Sequence, residues 1–166
     1  GGPAVAALRQ LQGRSTLRAA GSKTSAGAAL FAGAPGVGKT ALLAKLQARG
    51  YSAITDGIAA IRTSGDGPPV VLPAKSPLLL RKNCIEQIPS LGPAGPPVHP
   101  GVKKHSFATE NWHLDPLPIA AVYALNEHNL DIVEACRADP RQAIYLLRRV
   151  TYAPKVFPGL GMSKGF

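Results

Sequence analysis

Cysteine, acidic residues and aromatic residues are all scarce in this 166-residue chain. The two cysteines, Cys84 and Cys136, have no C-x-x-C spacing. That excludes a disulfide framework and leaves free thiols of a reducing, cytoplasmic compartment as the expectation. Nine aromatic residues, not interleaved with basic runs, give no strip on which bases would stack, so no nucleic-acid partner is expected. No apolar run approaches the ~20 residues that cross a bilayer, and no charged-then-apolar leader is visible, so no membrane association is expected either. Four histidines (His99, His105, His113, His128) lack a cysteine or second histidine at metal spacing, which argues against zinc. Ser106 and Ser163 stand outside any nucleophile-elbow context, which argues against a hydrolase.

Acids are the most informative shortage. Nine Asp/Glu face nineteen Lys/Arg, for a formal charge of +10. The cations are scattered, with pairs only at Arg81-Lys82, Lys103-Lys104 and Arg148-Arg149. Such a surface suits phosphate and an acidic protein or peptide partner. No acid precedes Asp56. Any metal ligand or base drawn from the first third of the chain therefore has one candidate.

Glycine is plentiful, and one cluster of it is specific. Gly33-Ala34-Pro35-Gly36-Val37-Gly38-Lys39-Thr40 is G-x-x-x-x-G-K-[ST] without a mismatch. Glycines let successive backbone N–H groups converge into an anion-binding nest. The lysine places a charge on β/γ-phosphates, and the hydroxyl can hold Mg²⁺. The motif counts only between a strand and a helix. Residues 28–32 form an apolar run suited to a buried strand, and 40–49 are good helix formers that Gly50 ends. Residues 33–41, with Ala41 just inside the helix, are the expected nucleotide-binding segment. Lys39 is expected to serve catalysis, and Thr40 and Asp56 to hold the metal. Asp56 follows an expected strand over 51–55, and ligands gather at the carboxyl ends of such strands. Asp56-Gly57 between apolar runs equally fits a two-residue hairpin turn.

The remaining pattern predicts an α/β domain spanning 1–166, with 1–15 peripheral and a short helix over 4–12. Strands are expected at 16–20 and 28–32 around a 21–27 turn, at 58–62 and at 70–72. Ser76-Pro77 opens an expected helix to about 88. Five prolines and three glycines make 89–101 a loop. A buried strand at 119–125, a turn at 126–129 and a second strand at 130–136 would form a hairpin. Asp139-Pro140 caps a last helix through Arg149, where Arg148 and Arg149 suit the helix dipole. Trp112 fits either a core edge or a partner contact.

Several stretches, in order, resemble the catalytic domain of HPr serine kinase/phosphorylase and its shorter relatives, including lasso-peptide precursor kinases. These are residues 17–21, the loop itself, 50–57, 98–104, 117–123 and 146–152. The resemblance implies a phosphoenolpyruvate-carboxykinase-like P-loop NTPase fold, a mixed sheet with flanking helices. It implies ATP and Mg²⁺ as cofactors and a serine on a small protein or peptide precursor as acceptor. Asp56 would be the general base, and Lys103 or Lys104 would neutralise the transferring phosphoryl group; a solvated loop charge is the alternative for that pair. Longer members form hexamers, so a homo-oligomer is a further expectation. The chain departs from the family at Gly57, where a second aspartate is usual, at Ala41, where longer members have an acid, and at Arg18, where histidine is frequent. Another acid, such as Glu86 or Asp115, is a candidate to substitute for a missing metal ligand. A small-molecule kinase and a nucleotide-binding assembly module with weak or no transfer are the alternative functions.

Overall fold

The computed structural model describes residues 15–63, 66–88, 95–97, 103–127 and 132–151. The expected helix over 4–12 lies outside them. The fold is α/β: a mixed, mostly antiparallel sheet with a few helices. The strands are β1 (Ser15–Leu17), β2 (Ala19–Thr24), β3 (Gly27–Ala32), β4 (Ala53–Thr55), β5 (Ala59–Arg62), β6 (Val70–Leu72), β7 (Leu78–Arg81), β8 (Lys104–Phe107) and β9 (Leu117–Ala124). The helices are α1 (Lys39–Ala48), α2 (Lys82–Glu86) and α3 (Pro140–Val150). Seven strands form one sheet in the order β1-β5-β6-β9-β3-β2-β4, and β7 and β8 form a separate two-stranded ribbon.

Among the named strands only β3 and β9 pair in parallel. Because β2 is antiparallel to both β3 and β4, strands β3, β4 and β9 run in one direction. Their carboxyl ends therefore share one edge of the sheet. The segments that follow them begin with Gly33, Asp56 and Leu125.

The sheet is folded over its own core, as contacts of β2 with β5 and of β4 with β6 show. Leu17, Leu30, Ile54, Ile61 and Val71 fill the space between, with Ala19, Ala28, Ala32 and Ala59. A second core lies on the other face of β2 and β4. There Leu43 and Ala44 of α1 meet Ala20, Ala53, Leu78, Leu80 and Phe107. Strand β2 is thus buried on both faces, which its Ala-Ala-Gly-Ser run permits. A Cβ on Gly21 would stand 2.9 Å from Leu30 Cδ2.

Several expectations need correction. The 21–27 turn shrinks to 25–26, because Gly21–Thr24 pair with β3 and extend the strand. The 16–20 strand is split at Arg18 between β1 and β2, and Ser15 belongs to the sheet rather than its periphery. The helix over 76–88 is instead strand β7 followed by the short α2. Leu78 and Leu80 point inward and Leu79 and Arg81 outward, a period of two that no helix satisfies. No second strand follows β9 over 132–136; those residues are exposed and irregular, while 128–131 lie outside the described residues. Strand β9 itself is not buried: Val122 and Tyr123 are 40% and 49% exposed. Trp112 packs at the edge of the second core, and its indole N–H donates to Thr109 Oγ1 at 2.9 Å. Among the described residues no helix is long and apolar enough to cross a membrane.

Candidate functional site

The 33–40 loop leaves β3 and enters α1 directly, as its motif requires. Glycine is needed at its start by crowding. A Cβ on Gly33 would lie 2.8 Å from the Leu125 carbonyl and 3.0 Å from Val37 Cγ1. Gly36 and Gly38 need it for conformation, with φ of +95° and +96°. Side chains at either position would strain the backbone. These left-handed residues turn the loop over the start of α1. That helix has no side-chain N-cap and no acid in its first turn. Its first N–H groups and the positive end of its dipole are thus available to an anion.

Lys39 reaches back over the loop. Its Nζ donates to the carbonyls of Gly33 at 2.9 Å and Ala34 at 2.7 Å. Burial pushes its pKa below the ordinary lysine range, and the charges of Arg18 and Lys104 add to that, while Asp56 opposes it. A phosphate arriving here would replace two neutral carbonyls with a full negative charge, which the crowded ammonium favours.

Asp56 follows β4, two strand spacings (about 10 Å) from the end of β3. Helix α1 crosses β2 and closes that gap. The Thr40 hydroxyl lies 3.0 Å from both Asp56 Oδ1 and Oδ2 and donates to the carboxylate. The Gly57 backbone also favours its charged form. Burial nevertheless raises the Asp56 pKa above the ordinary carboxylate value, against these hydrogen bonds and against the charges of Lys39 and Lys104. The hairpin reading of Asp56-Gly57 is corrected here: β4 and β5 stand at different places in the sheet order and do not pair. The turn is held locally, by Thr55 Oγ1 donating to the Ile58 carbonyl at 2.9 Å.

Lys104 belongs to β8 rather than to a loop, and its charge acts on both Lys39 and Asp56. Lys103, just before β8, is exposed. Arg18 is tied in by its backbone: its carbonyl accepts from Gly33 N at 3.2 Å, and its amide donates to the Val150 carbonyl at 2.7 Å. The suggested substitute acids are not brought to the site. Asp115 precedes the amino end of β9, eight residues (about 26 Å) from the edge where the loop stands. Glu86 is exposed at the end of α2. Among the described residues no three His, Cys, Asp or Glu cluster as a metal site.

The sequence places Arg81 in a basic pair but assigns it no role at the site. Strand pairing sets it opposite Lys104. No local pattern signals it, because Leu78-Leu79-Leu80 is a continuous apolar run; pairing with β8 alone sets the register. Farther along α1, Gln47 Nε2 donates to Thr109 Oγ1 and to the Asn111 carbonyl, and Asn111 Nδ2 donates to the carbonyls of Gly50 and Tyr51. This network pins the carboxyl end of α1 to β4, so the other end stays aimed at Asp56. The arrangement as a whole offers a nest of amides, a confined ammonium, a hydroxyl and one carboxylate at a common sheet edge. No protein-family model, no curated protein and no solved structure matches the chain.

Proposed function

We propose that the chain is an ATP-dependent serine kinase acting on a small protein or peptide, with a phosphoenolpyruvate-carboxykinase-like P-loop architecture. The observation that carries the reading is the contact of Thr40 with Asp56. It joins the last residue of a complete phosphate-binding motif to the first acid of the chain. Thr40 Oγ1 and the Asp56 carboxylate are hard oxygen donors and fit the preference of Mg²⁺. When bound, that ion would neutralise charge on the β- and γ-phosphate oxygens.

The chain's own groups supply the rest. The N–H groups of Gly36, Gly38, Lys39 and Thr40 and the open end of α1 receive phosphate oxygens. Lys39 exchanges the Gly33 and Ala34 carbonyls for those oxygens. Lys104 and Arg18 add positive potential where negative charge develops. Asp56 accepts the proton of the acceptor hydroxyl as that oxygen bonds to phosphorus. Its burial makes it a stronger proton acceptor than a solvated carboxylate.

A second reading has one specific support. Asp56 has Gly57 beside it rather than another acid, so a single carboxylate would have to serve both metal and proton. A nucleotide-binding module without transfer is consistent with that. Incubation of the purified chain with Mg²⁺-ATP and serine-bearing peptides, read by intact mass, separates the two. A gain of one phosphate, lost in Asp56→Asn while ATP binding is kept, is the expected outcome. ATP binding without modification of any acceptor would select the module, and full transfer by Asp56→Asn would remove the base assignment.

A further inference from the structure

Two basic pairs that are far apart in sequence, Arg81-Lys82 and Lys103-Lys104, meet in the fold. Pairing of β7 with β8 sets Arg81 directly across from Lys104. Lys82 opens α2 immediately after, and Lys103 immediately precedes β8. All four side chains are exposed. With strands about 4.8 Å apart, four positive charges crowd one end of a narrow ribbon.

Like charges directly across an antiparallel pair oppose folding. Among the described residues Arg81, Lys82 and Lys103 have no ion-pair partner, although Glu86 stands one helical turn from Lys82 in α2. The acids on neighbouring elements are otherwise placed. Glu86 ends α2 in solvent, Glu110 is engaged by Lys75 at 2.8 Å, and Asp56 is held by Thr40.

The ribbon is fixed against the P-loop helix. Leu78, Leu80 and Phe107 share the second core with Leu43 and Ala44, and Ala41 of the first turn of α1 packs against it. Lys104 is the link: it sits across from Arg81 on one side and acts on Lys39 and Asp56 on the other. The packing of the ribbon against α1 thus sets the cluster beside the helix that carries Lys39 and Thr40.

We propose that this end of the β7–β8 ribbon is the docking surface for an acidic segment of the acceptor polypeptide, holding carboxylates that flank the acceptor serine while the serine reaches Asp56. This rests on the kinase reading. The chemistry favours peptide over nucleic acid. The ribbon's rings are Phe107, only 3% exposed, and His105, half-buried with Nδ1 against the Gly95 carbonyl at 2.9 Å, so neither is presented for base stacking. Strands of four residues, about 13 Å, match a short extended peptide.

The test is fluorescence anisotropy with a labelled serine peptide carrying two glutamates on each side, a lysine counterpart, and a labelled oligouridine. ATP affinity is measured on the same preparations. The wild-type chain should bind the acidic peptide, more weakly as salt rises, and should ignore the lysine peptide. Arg81→Gln/Lys82→Gln should lose about tenfold or more in peptide affinity with ATP affinity unchanged. Lys39→Ala should lose ATP and keep the peptide. Unchanged peptide affinity in the double variant, or tighter binding of oligouridine than of peptide, would overturn the docking surface. If the wild-type chain binds no ATP, the kinase reading alone falls; a peptide complex lost in the double variant would still establish the surface.

Discussion

Helices α1 and α3 are built on opposite terms. Helix α3 carries every local signal. Asp139 Oδ1 accepts from the amides of Arg141 at 2.9 Å and Gln142 at 3.0 Å, Gln142 Oε1 accepts in return from the Asp139 amide, Pro140 stands at the first position, and Arg148 and Arg149 end it. Yet its side chains are largely in solvent: Ile144 and Tyr145 are each 62% exposed, and only Val150 is buried. Helix α1 has no side-chain cap and no acid in its first turn, but Leu43 and Ala44 are fully buried in the second core. One helix closes its own amino end, and the other leaves that end open and is held by packing. The difference shows what the proposed anion site would require. A side-chain cap consumes the amides a phosphate would use. The stability forgone at an open end must come from tertiary contacts instead.

The sharpest break of this comparison is truncation on the packed side. Leu43→Ala is expected to cost about 2–5 kcal/mol. Leu147→Ala on α3 is expected to stay within about 0.5 kcal/mol, as at other surface positions. Urea unfolding of the two variants measures both, and equal losses would mean that α3 is packed as tightly as α1.

Next in size is Lys39→Ala. Loss of a charged hydrogen bond to phosphate, about 1.5–3 kcal/mol, corresponds to roughly ten- to hundredfold weaker nucleotide binding by calorimetry. Undiminished affinity would deny the open end of α1 its role. The converse probe is Asp139→Ala. It removes the α3 cap and should lower stability by about 1 kcal/mol while leaving nucleotide affinity untouched.

The last prediction concerns pH. The folded state raises the Asp56 pKa, so the folded chain binds this proton more tightly than the unfolded chain does. Stability tied to this group is therefore lost as pH rises from below the ordinary value of 3.8 through the raised folded value. Asp56→Asn keeps an acceptor for Thr40 without the buried charge. Its melting temperature should exceed that of the wild type near neutral pH, and the gap should close as pH falls below that window. A gap independent of pH would mean that desolvation of the carboxylate is not its source.

Much of this was legible in the chain. The strand, glycine-rich loop and helix of residues 27–48 lie where the motif places them, because each local preference there agrees with the tertiary structure. The capped start of α3 was equally readable, since Asp139, Pro140 and Gln142 interact with near neighbours. Strands β5 and β6 fall within a residue of their apolar runs. Residues 76–88 misled because Ser76-Pro77 is a good local helix start, and only pairing with β8 makes Leu78 and Leu80 a strand. The exposed face of β9 was hidden for a related reason: a continuous apolar run does not say which neighbours will cover it.

The sequence by itself determined the glycine-rich loop with its phosphate-binding motif, its two flanking elements and the rarity of acids that singles out Asp56. These are local matters of backbone freedom, hydroxyl, ammonium and carboxylate. The tertiary structure alone decided that Asp56 meets Thr40, that β3, β4 and β9 share an edge, and that Arg81 faces Lys104. Each depends on strand order and register, which hydrogen bonding between distant segments sets and no run of neighbouring residues encodes.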